Sequence, residues 1–290
     1  MGAVNSPLRL TKDGGVMVGF LGQVNMTRAG LRCALTLIFS SAVVDLAAAA
    51  VSIDPHRAIY DAALKWTDGS ITDIQGRMVF EWQDSCKGWA VRQRYVLRFF
   101  GDNGNSQDIK TAYESWEDKS GAIYRFNVKH GGTGSRQETL EGFANRTGPE
   151  SRRNGQAVFT SHDDETFTLP GGTFFPSGHT ISLIDHASRG KKFLMADVFD
   201  GSKREGSVYV SAVIGQEALS TRKKWPEIPA QYWPMQLAFY DEDAAMGLPS
   251  YEFAVHLHAN GVMSDMTLEY QDYSLSLKLV DFEKLLPERC

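Results

Sequence analysis

The segment Phe175-Pro176-Ser177-Gly178-His179 is the most enzyme-like cluster in the chain, a hydroxyl two residues from an imidazole with Asp185 a few positions on. A serine nucleophile needs an imidazole base and a carboxylate to orient it. Such triads assemble from segments distant in sequence, because neighbours on one loop seldom face each other correctly. Ser177 is better read as a helix cap and His179 as a first-turn residue. A hydrolase built on the Ser177/His179 region stands as the alternative. His256 and His258 have the i, i+2 spacing that puts two side chains on one strand face, but two ligands without a third His or a nearby acid make a weak metal site. They are expected as surface histidines, and Asp163-Asp164-Glu165 as a solvated turn rather than a calcium loop. The chain holds no G-x-S-x-G, H-E-x-x-H, glycine-rich phosphate loop or C-x-x-C. No catalytic residue, metal ligand or cofactor is therefore assigned.

The elements that would position these residues follow an export signal. Arg28 and Arg32 precede the apolar run Cys33–Val44, and Ala47-Ala48-Ala49-Ala50 supplies small residues for cleavage. This is the charged, apolar and small-residue order of a secretory signal peptide. The apolar run is well short of the roughly 20 residues a spanning helix needs. Residues 1–25 form an N-terminal extension outside this scheme, with Met26 the expected start. Residues 26–50 are the expected signal peptide and 51–290 a single domain in the periplasm, not spanning the membrane. The first fifty residues hold four Lys/Arg and two Asp/Glu, so their removal takes the net charge from −5 to −7. A mildly acidic chain argues against nucleic acid or anionic lipid as its main partner.

Of the three cysteines, Cys33 leaves with the signal and Cys86 and Cys290 remain. In an oxidising compartment, two thiols without a C-x-x-C point to one structural bridge, with a free, buried pair as the alternative.

Period-two alternation dominates from residue 71 onward, the signature of half-buried strands. Trp89, Val91, Tyr95, Leu97 and Phe99 share one face, with Arg92, Arg94 and Arg98 on the other. Val208, Val210, Ala212 and Ile214 alternate with Tyr209, Ser211 and Val213, and Asn260-Gly261 supplies a tight hairpin turn. Frequent turns predict a dozen or so strands, mainly antiparallel, in an all-β sheet curled into a spiral or half-open barrel to hide its edges. Pro55–Trp66 reads as a helix or a first strand. Ser177–Gly190 reads as a helix, with Ile181, Ile184 and Ala187 at helical spacing and Gly190 ending it. Thr147–Gly155 and Asp241–Ser250 are expected to be the least ordered stretches. Trp66, Trp82, Trp89 and Trp116 read as core residues. Phe174, Phe175, His179, Ile181 and Ile184, on or beside the helix, are the candidates to line a ligand or partner surface.

Gly76-Arg77-Met78-Val79-Phe80-Glu81-Trp82, Cys86-Lys87-Gly88-Trp89-Ala90-Val91 and Ser115-Trp116-Glu117-Asp118 appear in an order that continues through Leu140-Glu141-Gly142-Phe143-Ala144. Leu169-Pro170-Gly171-Gly172-Thr173-Phe174-Phe175-Pro176, Val198-Phe199-Asp200-Gly201-Ser202 and Leu268-Glu269-Tyr270 follow. By these segments residues 52–290 resemble the cell envelope integrity EipB family of α-proteobacteria. The resemblance implies a periplasmic antiparallel sheet wound into a spiral, similar in architecture to lipoprotein carriers, and a structural disulfide that carries onto Cys86 and Cys290. It also implies maintenance of the envelope with no known catalytic activity. Together with the export signal and the missing catalytic motif, this makes a non-enzymatic protein that binds a periplasmic partner protein, or a lipid or lipoprotein acyl chain, the expected reading. One departure is His258-Ala259-Asn260-Gly261, where a Glu is expected before the turn.

Overall fold

The computed structural model describes residues 51–146, 153–221, 224–241 and 247–290. The expected signal peptide and N-terminal extension, and much of the two stretches expected to be least ordered, lie outside the described residues. The first half of the chain is a run of hairpins: β1 (His56–Thr67), β2 (Ile71–Asp84), β3 (Gly88–Gly101), β4 (Ser106–Asp118), β5 (Ile123–Gly132), β6 (Glu138–Asn145), β7 (Gly155–Phe159) and β8 (Glu165–Leu169). The one α-helix among the described residues, α1 (Pro176–Ser188), then leads into β9 (Phe193–Val198), β10 (Val208–Ile214) and the short β11 (Ala218–Leu219). β12 (Gln231–Tyr240), β13 (Tyr251–His258), β14 (Met263–Glu269) and β15 (Tyr273–Lys284) complete one fifteen-stranded sheet. Residues 55–66 therefore enter the first strand rather than a helix.

The sheet does not run in chain order. It reads β8-β7-β6-β5-β4-β3-β2-β1-β15-β14-β13-β12-β10-β9, with β11 beside β12, so β1 and β15 meet in its middle. Their antiparallel register runs from His56 opposite Lys284 to Thr67 opposite Tyr273, with two irregularities. The sheet is not a closed barrel. At the β9 edge, one parallel bridge joins Val198 to Phe174 in the segment between β8 and α1, the Phe174 N–H donating to the Asp197 carbonyl at 2.8 Å and the Phe199 N–H to the Phe174 carbonyl at 3.0 Å.

The alternation seen in the sequence decides which side is covered. Along β3, Val91 is buried and Trp89, Tyr95, Leu97 and Phe99 pack against the main core, while Arg92, Arg94 and Arg98 are exposed and meet Glu81, Glu114 and Asp108. A second buried cluster, including Tyr124, Phe126, Phe159, Phe175 and Phe199, fills the space beneath β5–β8. Two expectations fail here. Trp66 is 51% exposed near the end of β1, where β1 outruns its pairing with β2, and Trp116 stands on the outer face of β4. His258 is buried, not a surface histidine: an irregularity between Val255 and Leu257 breaks the simple alternation. Its ring is held by the Pro229 and Gln231 carbonyls and the Ser264 hydroxyl.

Cys86 and Cys290 form a disulfide with their Cα atoms 5.8 Å apart. Cys86 sits at φ 61° in the β2–β3 turn, where the Asp84 carboxylate accepts its N–H. Downstream of β15, the Leu285 N–H donates to the Pro55 carbonyl and the Glu288 N–H to that of Asp84, laying the tail along the start of β1 and the end of β2. The bridge spans 204 residues, and chain entropy alone gives about 5 kcal/mol for such a loop. Cys86→Ser should therefore lower the melting temperature by roughly 10 °C, read by circular dichroism. An unchanged melting temperature would remove the stabilising role.

Candidate functional site

The helix begins one residue before the serine expected to cap it. Pro176 is accepted in the first helical turn, where a missing N–H costs nothing, so Phe175 becomes the N-cap residue and offers no side-chain cap. The cap comes from another part of the sheet. Glu117, at the end of β4, turns inward, and its two carboxylate oxygens accept the N–H groups of Ser177 at 2.7 Å and Gly178 at 2.9 Å. A carboxylate at this position also opposes the positive end of the helix dipole. Arg146, just past β6, lies in the same buried region. Its guanidinium sits 4.9 Å from the Phe175 ring centroid and 5.5 Å from that of Phe174, and its Nε donates to the Gly121 carbonyl.

Burial dominates the electrostatics. It pushes Glu117 up to about 7, against the N–H groups of Gly178 and Ser177, the Arg146 charge and the Ser177 side chain. Burial likewise pushes His179 down to about 4, and its Nε2 is buried with no hydrogen-bond partner among the described residues. Ser177 thus engages Glu117 through its backbone and side chain, and the His179 Nε2 is not bonded to it. Ser177, His179 and an acid share one region without forming the nucleophile–base relay that a hydrolase requires.

The five residues expected to line a ligand or partner surface are split between the two cores. Ile184 is buried in the main core with Leu183 and Ala187, and Ile181 packs against it. Phe175 is fully buried and stacks on Tyr124 at 4.9 Å, in the second cluster. Phe174, between β8 and α1, bridges to Val198 of β9 and lies 6.1 Å from the His179 ring. The helix is set into the sheet's interior, and its inner side chains belong to the packed core. The Tyr113 and Tyr124 hydroxyls bond to each other and lie 3.2 and 3.0 Å from the Asp200 carbonyl, which accepts the proton their mutual bond leaves free and ties the segment after β9 to the sheet.

Glu117 and Arg146 were not singled out from the sequence, though each carries a signal. Both stand at inward phases of their strands, after Thr111, Tyr113 and Ser115 in one case and Leu140, Gly142 and Ala144 in the other. A charge in that phase must find a partner inside.

A single curled antiparallel sheet, packed around one helix that is capped by a buried carboxylate, defines a barrel-like, non-closed β protein. The EipB-like family model matches residues 47–286, and the chain belongs to this family. It is 31% identical over 247 residues to the cell envelope integrity protein EipB of Brucella abortus, covering 82% of this chain and 86% of that protein. A crystal structure described as a beta-barrel-like protein of a domain of unknown function, also from Brucella abortus, superposes with a TM-score of 0.74 at 30% identity. The match covers 81% of this chain and all of that one.

Removing the buried cap should be costly. Glu117→Ala leaves two helix N–H groups without their acceptor and removes the negative charge near Arg146, and should destabilise the fold by roughly 3 kcal/mol, measured by urea denaturation. The two titrating groups act in opposite senses. The folded state holds the Glu117 proton more tightly than the unfolded chain, so this group favours folding increasingly as pH falls from about 7 towards 4.5. His179 resists protonation in the fold, so its contribution is lost as pH falls from 6.5 towards about 4. In His179→Leu the second effect disappears. The melting temperature of the variant relative to the parent should rise between pH 7 and pH 4.5, and a constant difference would refute this assignment.

Proposed function

We propose that this chain is an exported protein that maintains integrity of the bacterial envelope without catalysis, working in the periplasm by binding a partner protein or a hydrophobic ligand. The observation that carries the reading is the identity with the cell envelope integrity protein, which extends over most of both chains. The signal-like segment ahead of residue 51 and the disulfide, which needs an oxidising compartment, support export. The hydrolase alternative loses support from the site, because the Ser177 side chain is engaged with Glu117 and the His179 Nε2 is not bonded to it.

Deleting the gene should sensitise cells to detergents and cell-wall antibiotics, and expression of the full chain should restore resistance. Unchanged sensitivity in the deletion strain would count against the reading. Native mass spectrometry of protein taken from the periplasm separates the two modes of binding: co-purified lipid supports a ligand, and its absence favours a protein partner.

A further inference from the structure

The outer face of β3–β6 carries a groove of about 830 Å3 that the envelope reading does not use. Its centre is one cross-strand row. The register sets Trp116 of β4 opposite Arg125 of β5, and Arg125 opposite Phe143 of β6. The Arg125 guanidinium lies 5.6 Å from the Trp116 ring centroid, and Phe143 is 39% exposed. On one side runs a polar row, Glu114, Asn127 and Glu141; on the other Ile123 faces Asn145. The platform is preformed. The Trp116 Nε1 donates to the Ser85 hydroxyl at 2.9 Å, and the ring lies on Gly88, where a Cβ would come within 2.4 Å of it. No other residue fits at Gly88 without moving the indole.

Several classes of occupant fit poorly. Every strand under the groove is hydrogen-bonded on both sides, so no edge is offered for an extended peptide to add a strand. An acyl chain would strip water from the Glu114–Asn127–Glu141 row without replacing its hydrogen bonds. The lining charges balance, Arg92 and Arg125 against Glu114 and Glu141, so the groove has no net attraction for a polyanion or an anionic bilayer. What the groove matches is an uncharged molecule with flat apolar faces and a rim of hydroxyls. Rings and guanidinium planes take the faces, and the flanking amides and carboxylates take the rim. Strands are spaced about 4.8 Å apart, so Trp116 to Phe143 spans roughly 10 Å, close to two rings of an extended β-linked glycan.

We propose that this groove binds an uncharged β-linked oligosaccharide, with Trp116, Arg125 and Phe143 as the stacking platform. Binding here is separate from whatever the helix side of the sheet engages. The purified protein titrated with cellotetraose and chitotetraose by calorimetry should bind at least one of them. Phe143→Ala and Arg125→Ala, each checked for an unchanged circular dichroism spectrum, should weaken that binding about tenfold or more. Phe193→Ala, on β9, should leave it unaltered. Failure of the parent to bind either sugar at millimolar concentration overturns the proposal, as does parental affinity in both groove variants. Sedimentation showing a dimer that Phe143→Ala dissociates would assign the groove to a second copy and overturn it as well. The deletion phenotype is scored independently, so either result can fail alone.

Discussion

The ladder between β1 and β15 holds the molecule together, because it is the seam between two halves that otherwise share no strand pairing in the sheet. On one side the chain runs outward from β1 to β8 through successive hairpins; on the other it runs from β15 back to β9. Each hairpin is local, but the seam joins His56 to Lys284. The inward face of β1 delivers Ala58, Tyr60 and Ala62 to the same buried cluster as Leu275, Leu277 and Leu279 of β15. The Cys86–Cys290 bridge and the hydrogen bonds of the tail reinforce this seam at one end. The disulfide is therefore a clasp beside the longest-range pairing in the fold, where loop-closure entropy is greatest.

The helix poses a different problem. A curled sheet that does not close on itself needs something to fill the slot between its faces, and α1 does so with Leu183, Ile184 and Ala187. Its N-terminus is thereby buried, and a buried helix end must have its N–H groups satisfied. Glu117 supplies two acceptors in a single residue, at the cost of placing an acid where water cannot reach it. Raised proton affinity at Glu117 and lowered affinity at His179 are both consequences of setting the helix inside rather than on the surface.

Much of this was legible in the sequence. Alternation in Trp89–Phe99 and Val208–Ile214 gave the correct inward faces, since a half-buried strand cannot hide its period. The end of α1 was legible at Gly190, which has φ 71° and donates its N–H to the Ala187 carbonyl. The start of the helix was not, because the capping group lies sixty residues earlier and a local pattern cannot name a distant acceptor. His258 was misplaced for a related reason: a bulge resets the phase, and periodicity read across it assigns the wrong side. Trp116 was assigned to the core on residue type alone, although neighbouring Glu117 holds the inward phase and leaves the indole outside. The whole candidate site illustrates the same limit, since Glu117, Arg146 and Ser177 come from three separate segments.

The central position of β1 has a consequence for how the molecule is made. Chains emerge from the ribosome N-terminus first, so β1 can pair with β2 early but must wait for β15, more than two hundred residues later. Until then one long edge of β1 is unpaired, with Ala58, Tyr60 and Ala62 uncovered on its inner side, a template for mispairing with other chains. Any delay before β15 arrives lengthens the exposure of this edge, whatever the stability of the finished fold.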